Sequence, residues 1–174
     1  SNTAQLQIDY ELIKFLDIRL AYRWVQVQTD YRSRNDITET TLLQQPYTPE
    51  HRFFVNLGYE TKKTIKEANW MFDFTTQWFS EQRIPSSHDN SVENRREEES
   101  PNFMLLSGQI TRNLNKRWAV YAGVENLLNF RQDEPIIDSE NPFSNEFDAS
   151  MVWGPIFGRN IYAGFRWKLK KEKM

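Results

Sequence analysis

GRNIYAGFRWKL, residues 158–169, alternates without a break. Ile161, Ala163, Phe165, Trp167 and Leu169 fall on one phase, and Tyr162, Gly164, Arg166 and Lys168 on the other. Successive side chains of a strand point to opposite faces, so this segment forms a strand with one wholly apolar face and one polar face. A face that clean must meet either a protein core or a lipid bilayer. The rest of the chain decides between them.

The chain has 174 residues, a net charge of −2 and no cysteine. The charge gives no electrostatic footprint for nucleic acid, and without Cys there is neither a disulfide framework nor a cysteine metal site. No run approaches the ~18 to 20 apolar residues of a membrane helix. Neither a signal peptide nor an initiating Met opens the sequence, which leads us to expect a piece of a longer protein. Aromatic residues make up 14% of an otherwise hydrophilic chain, so their placement carries the argument.

Six further segments alternate with period two, at about 4–12, 15–28, 51–61, 68–79, 102–112 and 117–128. Val, Ile, Tyr, Phe, Trp and Thr dominate them, and no long window has helical periodicity. The connections alternate strictly between short (about 13–14, 61–67 and 113–116) and long (about 29–50, 80–101 and 129–158). If successive strands are antiparallel neighbours, all long loops leave one end of the sheet and all tight turns the other. Transmembrane barrels have this asymmetry; a soluble meander has no need of it.

In six of the seven strands the apolar phase is unambiguous, with Thr76 its one polar residue and no charge on it. The phase of the segment at 102–112 stays open. The intervening positions carry Asp9, Glu11, Asp17, Arg19, Arg23, Asp73, Arg166 and Lys168. A lipid-facing row should exclude charge in this way, since Lys or Arg at the midplane of a barrel costs ~2–4 kcal/mol. On the apolar phase, Tyr10, Tyr59, Trp70, Trp118 and Trp167 lie near the tight-turn ends, and Trp24, Phe53 and Trp78 near the long-loop ends. Two aromatic belts around an apolar band match the girdles of an outer-membrane barrel. Trp70 to Trp78 spans roughly 26 Å along a strand, or about 20 Å after a tilt of ~40°, close to the ~25 Å apolar band of such barrels. A soluble β-sandwich accounts for the alternation but not for the loop asymmetry or the two belts.

The last fifty residues also resemble the C-terminal end of TonB-dependent outer-membrane receptors of the Bacteroidetes type. YAGVENLLNFRQDEPIID (121–138), ENPFSNEFDASMVWGP (140–155) and GRNIYAGFRWKL (158–169) carry the resemblance. The first is similar to that family's penultimate strand with its exit into a loop, and the last to its terminal strand. Tyr162, Gly164, Trp167 and Leu169 resemble the signal by which the barrel-assembly machinery recognises its substrates. Such strands often end the chain on an aromatic; here a charged tail, residues 170–174, follows. The resemblance implies that residues 1–169 are the C-terminal part of a 22-stranded barrel, an all-β antiparallel meander of about seven transmembrane strands. It also implies missing N-terminal strands, a plug domain contacting TonB, and a location in the outer membrane of a Gram-negative bacterium. The transported small molecule would be a ferric siderophore, haem, cobalamin or glycan, with the wall and loops supplied by this segment.

No catalytic residue, cofactor motif or metal site is argued at a defensible spacing. His88, Asp89 and the run ENRREEE (93–99) offer potential ligands but read as a solvated loop. Asp133, Glu134, Asp138 and Glu140, with Trp153 in the same long loop, are the residues placed to face a ligand. Arg19, Arg23, Asp73 and Arg166 are expected to satisfy one another or to touch a plug, and Gly123 and Gly164 to allow close approach within the wall. Two other readings stay open. One is a small stand-alone outer-membrane barrel, an anchor or an enzyme, completed by an eighth strand. The other is a soluble β-sandwich binding domain.

Overall fold

A computed structural model describes residues 1–32 and 40–169; the tail at 170–174 lies outside the described residues. The chain is all-β. Its strands are β1 (Asn2–Ile13), β2 (Leu16–Gln26), β3 (Gln28–Arg32), β4 (Thr40–Gln44), β5 (His51–Glu60), β6 (Asn69–Phe79), β7 (Phe103–Asn113), β8 (Trp118–Glu125) and β9 (Asn160–Trp167). A 3₁₀ turn at Val92–Asn94 is the one helical element among the described residues.

Seven strands form one sheet in the order β1-β2-β5-β6-β7-β8-β9, every pair antiparallel. These are the seven segments that the alternation predicts. The remaining two, β3 and β4, form a separate hairpin inside what the sequence presents as a plain long loop. Arg83 holds this hairpin from the next long loop: its guanidinium lies 4.7 Å from the Tyr31 ring centroid and donates to the Gln44 carbonyl at 3.2 Å. β8 stops at Glu125, short of the expected 128, because Asn126 and Asn129 take positive φ (51° and 57°). The Asn126 side chain fixes that exit by donating to the Phe130 carbonyl at 2.6 Å and accepting from the Phe130 amide at 3.0 Å.

Because neighbours alternate in direction, the three long connections leave one end of the sheet and the tight turns the other. With seven strands, β1 and β9 run the same way, each from the long-loop end to the tight-turn end. Each has one neighbour, so among the described residues the sheet is open between them.

The register places the apolar phases of all seven strands on one face. One row runs Ile8, Leu20, Val55, Thr76 and Leu106; the next runs Tyr10, Ile18, Leu57, Phe74, Gly108, Val124 and Ile161. This settles the phase of the strand at 102–112: Met104, Leu106 and Ile110 join the apolar face. Phe103 and Leu105 point the other way, and Phe103 is buried there in a ring stack with Phe79 and Phe130, at 4.8 and 4.9 Å between centroids. That buried aromatic on the polar phase is what blurs the alternation.

Among the described residues nothing covers the apolar face. Leu6 is 63% exposed, Phe165 71% and Trp167 55%, and the large side chains of the central strands are half-exposed. The packed hydrophobic cluster lies elsewhere. Ile84, Ile137 and Met151 are buried together, with Tyr47 and Trp153 packed against them, and all five belong to the long loops. The loops thus form a cap with its own core at one end of a bare sheet.

Candidate functional site

Both ends of the apolar face are edged by aromatic rings in contact. At the tight-turn end Trp118 stacks on Trp167 with centroids 5.6 Å apart, Trp70 on Phe72 at 6.3 Å, and Tyr59 on Phe72 at 6.2 Å. Among the described strand residues Arg112 is the one cation on this face; it stands directly opposite Trp70, its guanidinium 5.0 Å from a Trp70 ring centroid. A long side chain at the margin can lay its stem on the apolar surface and keep its charge at the water boundary. At the long-loop end Tyr22, Phe53 and Trp78 form a continuous group, at 4.7 and 5.6 Å between centroids. Two polar ring atoms at this end are tied to the start of β5 and the residue before it: Trp24 Nε1 donates to Glu50 at 2.9 Å, and the Tyr22 hydroxyl bonds His51 Nδ1 at 2.8 Å. His51 shows no partner in the sequence; the fold supplies Tyr22, its diagonal neighbour across β2 and β5. Amphipathic rings at two heights, with a charge-free band between them that only Thr76 interrupts among the described strands, make a surface suited to an oily slab with polar boundaries.

The opposite face is polar and largely self-satisfied. Asp9 accepts from Arg19 and from Gln7. Asn56 donates to both Asp73 oxygens at 3.1 and 3.2 Å, and Tyr162 donates to Gln109 at 3.1 Å. Arg166 lies over the Tyr121 ring. Across β8 and β9, Tyr121 stands opposite Gly164 and Tyr162 opposite Gly123, each tyrosine filling the space a Cβ would need. Within the strand at 158–169, Tyr162 and Gly164 therefore belong to the polar face and Trp167 to the apolar face.

The five loop residues expected to face a ligand do not converge. Glu134, Asp138 and Glu140 line one cleft of about 620 Å³ together with Glu93 and Arg96. Glu134 is paired there with Arg96 at 3.1 Å. Asp138, at φ 51°, accepts from Asn141 at 2.8 Å and from Ser144, so its carboxylate closes a turn of its own loop. Asp133 lines a different cleft, beside Trp78 and Arg131. Trp153 packs into the cap, 6.0 Å from the Phe103 ring centroid and 6.2 Å from that of Phe130. In the first acidic loop His88 pairs with Glu98 at 3.1 Å. Among the described residues no group of three or more His, Cys, Asp or Glu stands close enough to hold a metal ion.

Two residues that sequence reasoning passes over hold the cap together. Gln132 is buried; its carboxamide accepts from the Trp153 and Gly154 amides at 2.9 and 3.2 Å and donates to the Met151 carbonyl at 2.7 Å. Gln132→Ala leaves those backbone groups without partners, which costs ~1–3 kcal/mol. Thermal unfolding should show the loss, with Gln132→Glu failing to restore stability because a carboxylate cannot donate to Met151. Glu146 clamps the acidic loop, accepting from the Asn94 side chain at 2.6 Å and from the Ser91 amide and hydroxyl at 2.7 Å each. These donors, Asn94 first, hold the Glu146 carboxyl below its ordinary value. A depressed carboxyl contributes stability above its unfolded value and loses it as pH falls through the folded one. Protection of the Ser91 amide from hydrogen exchange, corrected for its intrinsic rate, should therefore fall on acidification below about pH 4, and Glu146→Gln should abolish that pH dependence. Burial, with Asp148 second, pushes the Tyr47 phenol the other way, above its ordinary value.

No family model, curated protein or solved structure matches this chain.

Proposed function

We propose that this chain is wall and loop of an outer-membrane β-barrel receptor that takes up a scarce nutrient by TonB-coupled transport. The observation that carries the reading is the bare apolar face, in register across seven strands, while the chain's buried cluster sits in the loops. A contiguous apolar surface of this size marks a contact with lipid or protein. The aromatic margins at two heights favour lipid, and a soluble sandwich would need a second sheet to cover the face.

Strand direction supports a larger assembly. β1 and β9 are parallel, so antiparallel closure requires an odd number of further strands. A sheet edge in lipid cannot stay open, because each unpaired backbone group costs several kcal/mol. Fifteen additional strands would give the 22-stranded barrel that the resemblance implies. A single one would give an eight-stranded barrel, the stand-alone anchor or enzyme, and the same parity allows it. In the receptor reading the plug, the TonB contact and the other strands lie in the rest of the protein. The barrel-assembly machinery inserts the wall through the β9 strand, and the long loops form part of the outer capture surface. The chain then contributes binding and passage, with no catalytic step.

The test is fractionation of the complete protein from a Gram-negative host. The receptor reading expects it to stay in outer membranes after an alkaline wash and to leave them only with detergent. Substrate uptake should stop when the proton-motive force is dissipated. Recovery in the aqueous fraction would refute the membrane assignment. Membrane retention with uptake indifferent to the proton-motive force would leave a barrel without TonB coupling.

A further inference from the structure

One register row on the polar face contains a contradiction. Gln5, Arg23, Arg52 and Phe79 stand opposite one another across β1, β2, β5 and β6, which places two arginines side by side. Like charges directly opposite on neighbouring strands destabilise a sheet. Among the described residues no carboxylate comes within ion-pair distance of either guanidinium, although Arg19 and Arg96 on either side of the molecule both have one. The row lies near the long-loop end, where β2 leaves the sheet and β5 enters it.

The surroundings hold one of these charges in place. The Arg52 guanidinium lies 5.0 Å from the Phe79 ring centroid, and Phe79 is stacked on Phe103 and Phe103 on Phe130. A guanidinium laid on a ring keeps its N–H edge available, and that fork matches two oxygens of a carboxylate or phosphate. Both arginines line a hollow of about 170 Å³, together with Gln5, Gln77 and Phe54 from the polar face and the rim aromatics Tyr22, Phe53 and Trp78. The carboxamides add neutral donors around the two charges.

We propose that Arg23 and Arg52 form a binding site for a small anionic ligand, of the carboxylate or phosphate class, on the polar face beneath the loop cap. An oxyanion between the guanidinia converts their repulsion into two charge-assisted contacts. The proposal rests on the barrel reading, in which this face lines the interior and meets dissolved ligands rather than lipid headgroups, and it replaces the expectation that Arg23 is satisfied by a neighbouring side chain or a plug. It narrows the cargo to molecules with an acidic group.

The complete protein, purified in detergent, would be titrated with inorganic phosphate and with glutarate at constant ionic strength, following its thermal midpoint in a chloride buffer. At least one anion should raise the midpoint saturably. Arg23→Gln and Arg52→Gln should each raise the midpoint without added anion, because the repulsion is gone, and weaken anion binding at least about tenfold. Arg52→Lys, which keeps the charge and loses the planar fork, should fall between, and it serves if Arg52→Gln does not fold. Arg19→Gln, whose partner is Asp9, should leave the affinity unchanged. No saturable shift with either anion, or an equal shift in the arginine variants, would overturn the site. If instead the protein dissolves without detergent, the barrel reading fails while the titration still reports on the arginines.

Discussion

If the apolar face meets lipid, as we propose, Phe74→Arg should prevent stable assembly in a bilayer, whereas Asp73→Arg, one residue away, should be tolerated. Phe74 lies midway between Trp70 and Trp78 on β6, with Leu57 opposite it on β5 and Gly108 on β7. An arginine there meets the middle of the apolar band, where its charge costs ~2–4 kcal/mol. That is about 30-fold or more in the folding equilibrium. Asp73 points to the polar face, where its loss removes the Asn56 hydrogen bonds but buries no charge. A depth profile sharpens the test. Phe72→Arg should be intermediate, and Trp70→Arg should cost about 0–1 kcal/mol, as expected at a barrel's interface. Arg112 already occupies that level beside Trp70. Urea titrations of the four variants refolded into detergent or liposomes give the profile. A flat series, or one in which Asp73→Arg is as damaging as Phe74→Arg, would remove lipid from the face to which we assign it.

The second large effect is expected where β8 meets β9. An added Cβ at Gly123 runs into the tip of the Tyr162 ring and also comes within 2.9 Å of the Gly108 carbonyl oxygen, a backbone atom that cannot swing away. At Gly164 the obstruction is the Tyr121 side chain alone, its hydroxyl 2.5 Å from the new carbon. Overpacking of this kind costs typically ~1–3 kcal/mol. Gly123→Ala should lie toward the upper end, since a ring can rotate and a paired strand cannot. Gly164→Ala should be milder. The clash also predicts coupling: in a Tyr162→Ala background the Gly123→Ala penalty should shrink, and a double-mutant cycle on unfolding free energies would read this directly. Strict additivity would mean that the two residues do not share the space.

The wall was legible because its code is simple. Period-two alternation, tight turns and long connections in strict sequence define the seven strands and their directions, and register follows once the apolar phases must share a face. What escaped depends on partners distant in sequence. Phe103 reads as a misplaced apolar residue until the rings of Phe79 and Phe130 surround it. The β3–β4 hairpin, with Thr40, Thr41, Leu42 and Leu43 in pairs rather than alternating, is braced by Arg83 from another loop. In the loops, composition drew attention to carboxylates, but their surroundings assign the roles. Asp138 closes a turn, Glu134 holds Arg96, and the clamping falls to Gln132 and Glu146. Gln132 works mainly through backbone groups, which carry no sequence signature. Arg23 and Arg52 lie 29 positions apart, and only strand pairing makes them neighbours.

A barrel segment whose hydrophobic nucleus lies outside its main sheet, as the loop cluster does here, would answer to two solvents at once. The Ile84, Ile137 and Met151 cluster and the Gln132 and Glu146 clamps are aqueous structure, so pH, salt and osmolytes set how firmly the loops are closed. In the barrel we propose, the sheet would take its cohesion from the surrounding lipid, so acyl-chain length and headgroup packing would govern it instead. On that reading the loops could be reshaped by selection on water-facing residues without renegotiating the fit to the membrane. The sheet of such a barrel could likewise adjust to a thicker or thinner bilayer while the loop cluster keeps its own packing.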